Sequence, residues 1–184
     1  MQITTDVNQA CNWLQKSQLL LYPTESVYGL GCDAWSSSAV EKLNQIKDRS
    51  HKCGWIVLIH DIKQLDELID SQAPIQWDAI EASWPGPTTW VFPMHPSLPL
   101  WLQGSDQTIA IRMTAHLQTR QLCQALDRPL ISTSANRPND TPACDVMTAT
   151  SFAKDCDLYG VLSGPCGGAS PTIIKEAISL KRLR

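Results

Sequence analysis

Short apolar runs alternating with stretches of helical period constrain this chain more than any other feature. Residues 19–22, 55–60, 88–93, 108–113 and 129–132 have the length and the branched or aromatic content of buried strands. Between them lie helical patterns. Val7, Ala10, Cys11 and Leu14 follow the i, i+3, i+4, i+7 spacing behind Asp6, with Gln9 as its capping-box partner. Ala39, Val40, Leu43 and Ile46 repeat the pattern behind a Ser38/Glu41 capping box. Further helices are predicted after Asp61 (Ile62, Leu65, Ile69), around Ile75, Ala79 and Ile80, over 117–126 and near 146–154. The one around Ile80 must stop at Trp84-Pro85-Gly86-Pro87, where two prolines and a glycine forbid its continuation. Short strands at 158–162 and 172–175 complete the chain. Interleaved helices and strands define an α/β fold. Connections of uneven length favour a twisted mixed sheet flanked by helices over a uniformly parallel winding. At 184 residues, the expectation is one domain spanning 1–184 with a full core.

Composition narrows the function classes. Fifteen basic and 18 acidic residues give a net charge of −3, which excludes a polybasic nucleic-acid coat but permits a local basic patch. An apolar fraction of 43% with seven tryptophans excludes a disordered chain. Those tryptophans are spread over separate elements and read as packing residues. The seven cysteines include no CxxC pair, so they read as reduced, mostly buried thiols and no metal site is expected. No basic residue precedes Lys16 and no apolar run approaches membrane length. A cytoplasmic protein without membrane contact is the expectation.

No phosphate-binding glycine loop, nucleophile elbow or metal-binding histidine pair is present. The four histidines are scattered and read as surface or loop residues. Hydroxyls and cations at strand ends stand out instead. In Thr108-Ile-Ala-Ile-Arg112-Met, alternation puts Thr108, Ala110 and Arg112 on one face and Ile109, Ile111 and Met113 on the other. The isoleucine face packs inward. The opposite face presents a hydroxyl and a guanidinium flanking a small alanine, a pattern suited to a carboxylate or phosphate; an ordinary solvated face with a surface ion pair is the alternative. Ser132-Thr-Ser134-Ala-Asn136 crowds hydroxyls and an amide into one turn, to hold anionic oxygens or to satisfy its own backbone. Lys47-Asp-Arg49-Ser-His51-Lys52 gathers four potential cations after a helix, as a phosphate clamp or as complement to the helix dipole.

Together these segments resemble one family. Tyr22-Pro-Thr-Glu-Ser-Val-Tyr-Gly-Leu-Gly31 is similar to the YPTETVYGLG signature of the YrdC-like domain. Lys47-x-Arg49, Trp84-Pro-Gly-Pro-Thr-Thr, Thr108-Ile-Ala-Ile-Arg112, Ser132-Thr-Ser-Ala-Asn136 and Pro171-Thr-Ile-Ile follow in the family's order. The resemblance covers essentially the whole chain, and its length matches the short bacterial TsaC type. It implies a twisted sheet with a concave, electropositive face. It further implies a nucleotidyltransferase that joins L-threonine, bicarbonate and ATP, with Mg²⁺, into L-threonylcarbamoyladenylate and releases pyrophosphate. A tRNA threonylcarbamoyl-transferase complex then uses that product to make t6A in tRNA.

The resemblance also assigns residues. Thr24, Arg112, Ser132 and Thr172 match the threonine site, with Thr172 standing where serine is usual. Lys47 and Arg49 match catalytic cations that face the ATP phosphates. Thr108, Ser134, Asn136 and Arg184 match nucleotide contacts, and Lys52 joins them. Three positions depart from the pattern. Cys53 replaces a phosphate-facing Lys or Asn, leaving Lys52 one residue early. Pro138-Asn139 replaces Ser-Gly, and Ala169 stands near an arginine of some members. The same basic groove admits a second reading, an RNA-binding or ribosome-maturation factor whose partner is tRNA or double-stranded RNA. A third is a paralogue with lost or altered activity.

Overall fold

The first helix starts where its spacing predicts. Asp6 accepts hydrogen bonds from the backbone N–H groups of Asn8 and Gln9 at the head of α1 (Val7–Gln15). The computed structural model describes residues 1–49, 54–168 and 172–184. Among them nine strands form one mixed sheet. They are β1 (Gln2–Thr4), β2 (Leu20–Pro23), β3 (Tyr28–Asp33), β4 (Ile56–Ile59), β5 (Thr88–Pro93), β6 (Thr108–Met113), β7 (Leu130–Ser134), β8 (Gly160–Leu162) and β9 (Ile173–Glu176). Their order is β1-β8-β2-β3-β7-β4-β6-β5-β9. The pairs β1/β8, β2/β8, β4/β6 and β5/β9 are parallel and the others antiparallel. Among the described residues no helix is long and apolar enough to cross a membrane.

The sheet is buried on both faces at its centre. At β2, Leu21 and the preceding Leu19 enter one apolar cluster, with α2 (Ser37–Lys47) and α5 (Val146–Asp155), while Leu20 and Tyr22 enter another. That second cluster is built by α1 and α4 (Leu117–Leu126) through Ala10, Cys11, Leu14, Leu122, Cys123 and Leu126. Of the tryptophans, Trp13, Trp55, Trp84 and Trp90 are buried and Trp77 lies at the surface.

Several elements differ from the sequence expectation, each for a local reason. β3 falls inside the signature stretch, where two glycines hide its strand character. They are required by Tyr22 and, at Gly31, by the Ile131 carbonyl. A Cβ on Gly29 would come within 2.9 Å of the Tyr22 ring, and one on Gly31 within 2.7 Å of its hydroxyl and 1.9 Å of the Ile131 carbonyl. The cap of α2 is Ser36, not Ser38, because Asp33 closes a turn immediately after β3 by accepting from the Trp35 N–H. The segment after Asp61 opens on an Asp61/Gln64 capping box and winds as a 3₁₀ helix over Ile62–Glu67, in place of the expected α-helix. The helix before Trp84 is a short α3 (Trp77–Glu81).

Candidate functional site

Register places the site. Paired residues on neighbouring strands share a face. Gly29 pairs with Ser134, Ser132 with Ile56, Ile56 with Ala110, and Ala110 with Val91. These side chains therefore look out from one continuous face, the same one that α1 and α4 cover further along. Left open beyond α4, that face floors a cavity of about 860 Å³. The alternation in β6 is as read from the sequence: Ile109 and Ile111 are fully buried in the core, while Thr108, Ala110 and Arg112 line the cavity.

Thr24, Arg49, Thr108, Arg112, Ser132, Ser134, Thr172 and Arg184 all line this one cavity. They come from four strands or strand ends, the end of α2 and the last residue of the chain. The final residues are drawn in because Arg184 and Ile174 exchange backbone hydrogen bonds. The Arg184 guanidinium then lies 3.4 Å from the Thr172 carbonyl and hydroxyl oxygens. Arg49 is held over the Trp55 ring, 4.7 Å from its centroid, a cation–π contact that fixes a long side chain on the cavity wall. Thr24 donates its hydroxyl to the Val27 carbonyl at 2.7 Å, which shapes the loop after β2.

Lys47 and Asn136 are placed differently. Neither is among the cavity-lining residues. The buried Lys47 ammonium donates to the Ser134 carbonyl at 3.1 Å, the Asn136 carbonyl at 2.8 Å and Asn136 Oδ1 at 2.9 Å. Burial and the nearby Arg49 push its pKa down to about 8. Three oxygen acceptors favour the protonated form in return. Asn136 Oδ1 also accepts from the Ser134 hydroxyl at 2.6 Å, so one cation braces the turn that carries Ser134. Lys52, Cys53 and Ala169 lie outside the described residues.

Several residues of the site carried no distinct sequence signal. Asp106 and Glu176 bring carboxylates to the lining, and Val91, Ile174 and Leu183 give it an apolar wall. Glu25, inside the signature, is buried behind Arg112 with Oε2 at 3.4 Å from its Nη2. His116 is structural: Nδ1 accepts from the Thr119 N–H at the start of α4, and Nε2 lies 3.0 Å from the Pro165 carbonyl.

Fold and site define a class: an α/β domain with an arginine- and hydroxyl-lined cavity on an open sheet face. The chain belongs to the Sua5/YciO/YrdC family, whose profile, described as "Telomere recombination", matches residues 12–184. A threonylcarbamoyl-AMP synthase of Coxiella burnetii (strain RSA 493) is 40% identical over 183 residues, covering 98% of this chain and 97% of that protein. One from Methylococcus capsulatus is 39% identical over 178 residues, covering 95% and 94%. Among solved structures, Pyrococcus abyssi Sua5 complexed with L-threonine superposes with a TM-score of 0.86 at 24% identity over 96% of this chain. This chain spans 52% of that Sua5. Escherichia coli YciO superposes at 0.78 with 20% identity, covering 99% of this chain and 94% of that one. At these identities the superpositions establish the fold.

Proposed function

We propose that this protein is a threonylcarbamoyl-AMP synthase, forming L-threonylcarbamoyladenylate and pyrophosphate from L-threonine, bicarbonate and ATP. One observation carries the reading. A single cavity brings a carboxylate-type site (Arg112 with Thr24, Ser132 and Thr172) beside a phosphate-type site (Arg49, Thr108, Ser134 and Arg184). The full-length similarity to proteins bearing that name supports it.

In this reading the threonine carboxylate pairs with the Arg112 guanidinium, a planar fork suited to two oxygens. Ser132, Thr24 and Thr172 bind the rest of the amino acid. Its neutral amine condenses with bicarbonate: an N–C bond forms, a C–O bond breaks, and water leaves to give a carbamate. A carbamate oxygen attacks the α-phosphorus of ATP in line, and pyrophosphate leaves. Arg49 and Arg184 offset charge on the phosphates, Ser134 and Thr108 orient them, and Lys47 holds the Ser134 turn in place. Phosphoryl-type transfer depends mainly on such positioning and charge stabilisation. Mg²⁺ accompanying ATP as part of the substrate would offset phosphate charge and would be held mainly by the nucleotide. The product serves a transferase that modifies tRNA.

The test is pyrophosphate release from purified protein. Release should require threonine, bicarbonate and ATP together. Release indifferent to threonine would sink the assignment.

A further inference from the structure

We infer that Glu25 is the positioning residue of the amino-acid end: it fixes Arg112 for a carboxylate and keeps phosphate anions out. The inference rests on the function proposed above and goes beyond it, because Glu25 does not line the cavity.

Four observations converge on Glu25. It is buried at 8% exposure and Arg112 at 5%. Its Oε1 is committed elsewhere, accepting from the Thr114 hydroxyl at 2.8 Å and the Ala115 N–H at 3.0 Å. Its Oε2 faces Arg112 Nη2 at 3.4 Å, longer than the roughly 2.7–2.9 Å of a charge-assisted hydrogen bond. Finally, Glu25 Oε2 and Arg112 Nε are both buried without a hydrogen-bond partner. The carboxylate is thus anchored by the start of the α4 loop and attracts the guanidinium without saturating it. Arg112 is held in place by an ion pair that leaves its guanidinium short of full hydrogen bonding.

The charge balance adds selectivity. Among the described residues Glu25 supplies the one carboxylate within salt-bridge reach of Arg112. Paired with it, Arg112 presents a locally neutral end, where short hydrogen bonds to a zwitterionic amino acid succeed and long-range attraction of a multiply charged phosphate is cancelled. With Glu25 neutralised, the same end becomes a bare buried cation and an anion trap.

The experiment compares wild type with Glu25→Gln, which keeps the shape and removes the charge, using the full chain. Kinetics with threonine and ATP varied separately, phosphate inhibition and thermal midpoints are measured on both. Glu25→Gln should raise the threonine KM by about tenfold or more while leaving the ATP KM within about twofold. Inorganic phosphate should become competitive with threonine in the variant and not in wild type. A lowered midpoint with threonine KM and phosphate inhibition unchanged would show a merely structural role and overturn the inference. If Glu25→Gln does not fold, Thr114→Val, which removes one anchor of the carboxylate, should move threonine KM in the same direction by a smaller factor; no movement overturns the inference. Threonine-independent release by wild type would instead remove the underlying function, a failure distinguishable from an unresponsive variant of an active enzyme.

Discussion

Lys47 Nζ lies 2.8 Å from the Asn136 carbonyl oxygen and 2.9 Å from Asn136 Oδ1, joining the end of α2 to the turn after β7 across 89 residues of sequence. Replacing Lys47 by Met removes the ammonium and leaves those oxygens and the Ser134 carbonyl without it. The expected cost is about 2 kcal/mol of stability, the scale of a buried charge-assisted hydrogen bond. Because the turn carries Ser134, the ATP KM should rise as well. Chemical denaturation and ATP-dependent kinetics of Lys47→Met check both effects.

Arg112 is the residue on which threonine dependence turns. Arg112→Ala should abolish threonine-dependent pyrophosphate release. Arg112→Lys keeps a charge but loses the planar fork, and should raise threonine KM by about tenfold. Calorimetric titration with threonine gives the same ranking without relying on turnover. Unchanged threonine binding in Arg112→Ala would remove Arg112 from the site.

Gly31 is demanded first by the Ile131 carbonyl of the paired β7 and then by the Tyr22 hydroxyl. A methyl group there would come within 1.9 Å of the Ile131 carbonyl, so backbone must move. Gly31→Ala should cost about 3 kcal/mol or more, the upper range for overpacking. A thermal midpoint close to wild type would show that the β7 backbone at Ile131 yields easily.

Acid should uncover the Glu25–Arg112 pair. Burial opposes ionisation of Glu25, but the Arg112 charge and the hydrogen bonds from Thr114 and Ala115 outweigh it and hold the carboxyl below its usual 4.5. A depressed acid binds fewer protons in the folded state. Its contribution is therefore fully present above the unfolded value of 4.5 and is lost as pH falls through the lower folded value. Thermal midpoints of wild type and Glu25→Gln should converge on acidification below 4.5 and diverge above it. Parallel curves would contradict this linkage.

Much of this protein was legible in the sequence because its signals are local. A period of two in β6 determined that Arg112 and Thr108 share a face with Ala110. The spacing behind Asp6 and over 117–126 determined α1 and α4, and the signature stretch carried the family. Elements that deviated were those whose signal depends on neighbours: β3, whose glycines answer to Tyr22, and α2, whose cap is set by a turn from Asp33.

What only the tertiary structure decided is which charges face the cavity. Lys47 and Arg49 are two residues apart, and no periodicity separates their roles. Asp48 between them is left-handed, with φ 46°, and reverses the chain at the end of α2. One cation is thereby turned into the β7 turn and the other onto Trp55 at the cavity wall. Glu25 is the converse case. In the sequence it is one residue of the signature stretch, with no partner to be read. The connection from β6 to α4, through Thr114 and Ala115, holds it beside Arg112 and away from water, so that its partner exists only in the folded protein.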